Sequence, residues 1–301
     1  MNKSSGIILL NKPEDLSSNT ASNLVKKIFS AKKAGHTGTL DPFAQGLLPV
    51  CINRGTRLVR YLMEKDKEYI GTIKLGIQTD TLDKTGEITG KAEVPKINSF
   101  DIENAMAKFR GKIKQIPPAF SALKHKGIPL YKYARKGEMI EKEAREINIF
   151  ELETLFFEND ILKIRVKCSK GTYIRTLASD LAKELGTLGH LTDLERTKNG
   201  YFDLSNSFTL EELRQKKSEN DLESCMISLE KATDFIHTIK IDKTIEEAVI
   251  NGKKILPKDL FINFSIEENI PFRLINQENQ LKALIRRVNN CDYLKYDAVF
   301  N

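Results

Sequence analysis

The chain has 301 residues, 40% apolar and 30% charged, which is the balance of a folded soluble protein and excludes a disordered or fibrous one. No apolar run approaches the ~20 residues of a membrane-spanning helix, and Cys51, Cys168, Cys225 and Cys291 lie far apart with no CxxC pair, which excludes a disulfide scaffold and a zinc ribbon. Forty-eight basic against 41 acidic side chains leave +7, a weak pointer to a polyanionic partner. The apolar run near the N-terminus ends at Lys12-Pro13 and is too short for a secretory signal, so a cytoplasmic location is expected.

Residues 6–10 read as a short apolar strand. After Ser17 and Ser18, either of which can cap, Ala21, Leu24, Val25, Ile28 and Phe29 have the spacing of an amphipathic helix. A glycine-rich loop, 35–46, leads into an apolar strand over 47–52. Residues 69–77 alternate, with Ile73, Leu75 and Ile77 on one face, as a half-buried strand does. Residues 80–90 are polar and turn-rich, and Ile102, Ala105, Met106 and Phe109 mark a helix. Strands are expected over 147–157 and 161–168, then a helix carrying Ile174, Leu177, Ala178, Leu181 and Leu185 that stops at Gly186. Residues 210–232 read as helical and connecting, and from about 240 to 301 short strands alternate with turns. The fold class is α+β: a mixed or antiparallel central sheet flanked by helices, followed by a small β unit. The division falls at 1–232 and 233–301.

Two segments suggest chemistry. Gly35-His-Thr-Gly-Thr-Leu-Asp-Pro42, continuing to Gly46, places one aspartate among three glycines. Glycine lets backbone approach a ligand, and Pro42 keeps Asp41 out of the α region. No Gly-Lys-Ser/Thr follows, so it is not a phosphate-binding P-loop, and no metal ligand or nucleophile elbow accompanies it. A turn aspartate satisfying backbone amides is the bland alternative. The second segment, 112–145, holds nine Lys or Arg against three Glu, with Phe120, His125, Tyr131 and Tyr133 interleaved. Cations for phosphates beside rings for bases make up a nucleic-acid contact, although a solvated loop has the same composition.

Residues 35–49 resemble the signature of the TruB family of tRNA pseudouridine synthases. Further matches follow in order: Asn11-Lys-Pro13, Lys67-Glu-Tyr69, Leu75 to Asp83, Gln115 to Lys124 with Tyr131 and Arg145, Cys168 to Thr176, and Leu194-Glu-Arg-Thr197. The resemblance covers about 1–205. It implies the pseudouridine synthase fold, an RNA-gripping insertion at about 112–145, and a PUA-like RNA-binding unit at 233–301. It also implies a reaction: isomerisation of uridine 55 in the T loop of tRNA, with the base flipped out. No cofactor and no metal are expected; the partner is the T arm of tRNA, and the chain is expected to act as a monomer.

The resemblance also assigns roles. Asp41 becomes the essential carboxylate, as nucleophile or base; Tyr69 stacks on the target base; Arg175 pairs with Asp41. Tyr173 and Leu194 line the pocket, His36 helps hold the RNA loop, and Asp83 is a further acid nearby. Arg57 stands where the family often has lysine. Lys124, Lys126 and Lys132 are expected to meet phosphates. The rival class is an RNA-binding or RNA-folding protein whose synthase activity is secondary or lost; the intact Asp41, Tyr69 and Arg175 argue against loss, and a tRNA-folding role is compatible with catalysis. The tail is expected to extend the RNA footprint without building the pocket.

Overall fold

A computed structural model describes residues 4–140, 142–260, 268–289 and 291–300. Its main sheet runs in the order Met226–Ile227, Gly6–Lys12, Gln45–Ile52, Gly189–Asn199, Lys67–Leu75, Ile161–Cys168, Arg145–Glu158, Gly111–Gln115. Neighbours are antiparallel except at one place, where Glu195 and Arg196 run parallel to Gln45 and Gly46. The sheet is therefore mixed, and the parallel join lies beside the glycine-rich loop.

The apolar strands are buried on both faces, which is why Gly6–Lys12 and Gln45–Ile52 read as continuous apolar runs. Ile8, Leu10, Leu48, Val50 and Ile52 share a core with the helices Ser18–Ile28, Ser99–Ala107 and Ile174–Glu184. Ser17 caps the first of these by accepting from Thr20 N, and Gly186 follows the last with φ +79°. Ile7, Leu9, Leu47 and Cys51 face the other way, toward Leu281, Leu284, Ala298 and Phe300.

The first three belong to a small C-terminal sheet, His237–Lys240, Pro271–Ile275, Leu281–Arg286 and Lys295–Val299, and Phe300 directly follows its last strand. The sheet has an apolar interior of its own, around Val249, Leu274, Ala283 and Ile285. At the seam Asp297 accepts from Tyr61 Oη at 2.6 Å and pairs with Arg60 and Arg286, each at 3.1 Å.

Two elements differ from expectation, and a third was not assigned from sequence. Lys243–Ile250, expected among strands and turns, is a helix capped by Asp242, and Asn251-Gly252 closes it. The strand at 69–77 is broken at Gly76, where φ is +86°, and Ile77–Thr79 pairs with Ile88–Lys91 in a separate ribbon. Gly189–Asn199, a central strand, carries no apolar alternation because His190, Arg196 and Asn199 are buried polar residues. Residues 261–267 of the expected strand-and-turn tail lie outside the described residues.

Candidate active site

The loop carrying Asp41 is held carbonyl by carbonyl. Asn199 Nδ2 donates to Thr37 O at 3.3 Å and Arg196 Nη2 to Gly38 O at 3.1 Å. Ser18 Oγ donates to Leu40 O at 2.9 Å, and Lys12 Nζ to Pro42 O at 3.2 Å. Every one of these donor side chains is buried. Ala44 N closes a turn on Asp41 O at 3.1 Å. Gly46, at φ +97°, is required by close approach: a Cβ there would lie 2.6 Å from Arg196 O. The parallel join and the fixed loop thus depend on each other.

Arg175 arrives from the first turn of the Ile174–Glu184 helix. Gln115 clamps that turn, accepting from Tyr173 N at 2.8 Å and donating to Tyr173 O at 3.0 Å. The Arg175 side chain is 3% exposed, with Nε 2.9 Å from Asp41 Oδ2 and Nη2 3.3 Å from Asp41 Oδ1. Nη1 donates to Thr81 O at 2.7 Å and lies 3.4 Å from Asp83 Oδ2, while Nη2 also donates to Phe120 O at 2.7 Å. One buried guanidinium therefore ties together the Asp41 loop, the 79–85 turn and the insertion.

Asp41 keeps 34% of its side chain exposed and faces a cleft of about 510 Å³ that Tyr69, Tyr173 and Leu194 also line. Burial raises its carboxyl above the ordinary range; Arg175 pulls the other way and Asp83 adds to the rise. Tyr69 is buried, and burial raises its phenol too, so it stays protonated at neutral pH despite the opposing charge of Arg196. Among the described residues no group of three or more His, Cys, Asp or Glu is placed to hold a metal ion.

The cleft thus gathers Asp41, Tyr69, Arg175, Tyr173 and Leu194, with Asp83 buried directly behind Arg175. His36 is half-buried on the short strand Ala34–His36, and burial lowers its imidazole pKa. Arg57 lies away from the cleft: its guanidinium donates to Val299 O and sits 5.9 Å above the Phe300 ring, bracing the C-terminal sheet. Lys124, Lys126 and Lys132 are exposed on the insertion and form no ion pair with a described residue.

Four residues inside the quoted segments acquire parts that the sequence did not assign. Lys12 is fully buried, its amine turned to the Pro13, Leu16 and Pro42 carbonyls and pushed by burial down to about 8. Lys67 lines the cleft, donates to Met63 O at 2.6 Å and is likewise pushed by burial down to about 8. Arg196 is 1% exposed, donates to Leu47 O at 2.8 Å besides Gly38 O, and stands opposite Tyr69 in strand register. Arg145 lies 5.1 Å above the Tyr173 ring with Nε and Nη2 buried and without a hydrogen-bond partner among the described residues. Buried cations in an otherwise polar run were the available signal, and only the fold shows which cations are buried.

Residues 26–174 match the model of the TruB family pseudouridylate synthase N-terminal domain, and 175–234 match the tRNA pseudouridylate synthase B C-terminal domain. The chain belongs to the TruB family. It is 50% identical to tRNA pseudouridine synthase B of Francisella philomiragia over 254 residues, 84% of this chain and 82% of that one. To tRNA pseudouridine synthase B of Francisella tularensis subsp. novicida it is 52% identical over 220 residues, 73% of each chain. In fold it is similar to a chain of a Cbf5-Nop10-Gar1 complex, at TM-score 0.75 and 24% identity, covering 98% of this chain and 85% of that one. That coverage includes the C-terminal sheet, and this TruB-family enzyme is an isomerase of the pseudouridylate synthase class.

Proposed function

We propose that this enzyme converts uridine 55 in the T loop of tRNA to pseudouridine, with Asp41 as the catalytic carboxylate. The observation that carries the reading is the two-pronged hold of Arg175 on Asp41, which leaves part of the carboxylate open to a cleft walled by Tyr69, Tyr173 and Leu194. The reaction breaks the bond from uracil N1 to C1′ and forms one from C5 to C1′. The C5 proton leaves and N1 gains one, so atoms balance without oxidant, reductant or co-substrate. Asp41 is the group available to attack or to accept the proton once ionised.

Arg175 orients Asp41 and opposes the rise that burial imposes on its carboxyl. Asp83 shares that guanidinium. Tyr69, as a neutral phenol on a central strand, offers a flat face for the flipped base; Tyr173 and Leu194 close the pocket. Arg145 presents unpaired donors for a phosphate at the rim. Lys124, Lys126 and Lys132 extend the phosphate contact, His36 helps hold the RNA loop, and the enzyme acts as a monomer on the T arm. The test is incubation of the purified chain with an unmodified tRNA transcript, followed by mapping of pseudouridine. Product at position 55 is expected; no product, or product only elsewhere, overturns the assignment.

A further inference from the structure

A second aromatic site lies outside the cleft. Tyr201 is 72% exposed, among the largest exposures of any bulky apolar side chain described. It follows Gly200, whose φ of +59° turns the chain at the end of the Gly189–Asn199 strand. Its ring stacks on Phe235 with centroids 5.4 Å apart and planes at 29°. Phe235 in turn packs against the apolar seam between the two sheets, so the pair has a fixed base. Lys65 Nζ lies 3.8 Å from the Phe235 centroid and 5.2 Å from that of Tyr201.

An exposed ring stacked on a half-buried one, with an amine at its side, presents a flat face and a cation together to solvent. Ring plus cation matches an unpaired base with its phosphate. The location fits too. Met63, Glu64 and Lys67, on either side of Lys65, line the catalytic cleft, and Gly200 N donates to Asp66 O at 2.8 Å. An RNA strand leaving the cleft along residues 63–67 meets Tyr201 next.

We propose that Lys65, Tyr201 and Phe235 form a second RNA-contact site, on which an unpaired nucleotide outside the cleft stacks against Tyr201 while Lys65 meets its phosphate. The site rests on the reading of the substrate as tRNA. It contributes to holding RNA and takes no part in the bond changes, so KM moves and kcat does not.

The test compares the full-length wild type with Tyr201→Ala, Tyr201→Trp and Lys65→Gln. Filter binding uses tRNA already modified at the target, and kcat and KM use the unmodified transcript. Tyr201→Ala is expected to weaken binding and raise KM about tenfold with kcat unchanged, and Tyr201→Trp to restore both. Lys65→Gln is expected to lower the slope of log affinity against log salt by about one. Melting curves within error of the wild type accompany these effects, because Tyr201 is exposed. A wild type that binds no tRNA overturns the substrate reading and this site with it. A wild type that binds while Tyr201→Ala stays within about twofold overturns the stacking site alone. Loss of a dimer in sedimentation by Tyr201→Ala, with RNA affinity intact, makes the surface a contact between copies and overturns the RNA assignment.

Discussion

The two walls of the cleft are built differently. On one side the carbonyls of Thr37, Gly38, Leu40 and Pro42 each accept from a different buried side chain, so the Asp41 loop has little freedom. On the other side the 112–145 insertion joins the body through its first strand, which pairs with Arg145–Glu158, through Gln115 and through the Phe120 carbonyl; beyond that strand it bonds mostly within itself, as in Leu130 N to Leu123 O and Tyr131 N to Ser121 O. Its lysines other than Lys142 are exposed, whereas the cations of the first wall are buried. The chemistry demands a carboxylate fixed to a fraction of an ångström, whereas capture of a polyanion demands charge that can follow a backbone. Arg175 touches both walls, which makes it the point where binding can be felt by Asp41.

The largest effect that separates the walls is on turnover. Asp41→Asn should abolish product while leaving tRNA affinity nearly unchanged, since phosphate contacts lie elsewhere. Arg175→Met should also cripple turnover, and the double variant should be barely worse than Asp41→Asn alone because the two act as one unit. Single-turnover release of tritium from labelled uridine, beside filter binding and a melting curve, checks this. Substantial product from Asp41→Asn means that the catalytic group lies elsewhere.

Arg196 tests whether the fixed wall is fixed for a reason. Arg196→Met leaves the Gly38 and Leu47 carbonyls without their donor beside Tyr69, at roughly 1–3 kcal/mol for each unsatisfied buried group. Turnover should fall by about 10²-fold with KM little changed, since a small misplacement of the carboxylate is enough. Arg196→Lys should recover part of it, because one amine cannot reproduce the fork. Equal kcat in all three forms would show that the loop holds its shape unaided.

The C-terminal sheet gives a different contrast. Its Leu281, Leu284, Ala298 and Phe300 share a core with Ile7, Leu9, Leu47 and Cys51. Ending the chain near 235 would expose several large apolar side chains at ~1.5–3 kcal/mol each, comparable with the whole stability of a domain. A truncated chain should therefore aggregate or melt far below the full chain. One that remains soluble with an unchanged melting curve would show the tail to be only an appendage.

On the basic wall, neutralising Lys124, Lys126 and Lys132 together should weaken tRNA binding and flatten its salt dependence by roughly two to three in log–log slope. An unchanged slope would make the stretch a solvated loop.

The contrast between the walls also decides what could be read from sequence. That Asp41, Tyr69 and Arg175 belong to one cleft was legible because each lies in a segment that resembles a TruB-family motif. Gly189–Asn199 was not legible as a strand, because Arg196, Asn199 and His190 satisfy buried partners instead of alternating with apolar residues. Arg57 has the position of a binding residue in sequence, yet its guanidinium is spent on Val299 and Phe300, which are more than 240 residues away along the chain. Hydropathy period reports which face meets a core and is silent on polar networks, so the fixed wall was visible as a motif and invisible as a structure.

The smallest effect is a pH dependence of stability that comes from buried groups and not from the basic wall. Lys12 and Lys67 have amines near 8 in the folded chain, pushed down by burial, against about 10.4 when unfolded. Above about pH 8 the unfolded state therefore binds more protons than the folded one, and stability rises with pH. Cys51 and Cys168 act oppositely: burial pushes both thiols up to about 12, so above their ordinary value of 9.0 the unfolded chain loses protons that the folded chain keeps, and stability falls. The melting temperature should thus climb from pH 7.5, level off between about pH 9 and 10.4, where the two opposing pairs nearly cancel, and decline above that. Lys67→Met removes one rising contribution and should flatten the climb, while neutralising Lys124, Lys126 and Lys132 should leave its shape alone. A climb unchanged in Lys67→Met would mean that this amine is not held near 8 in solution.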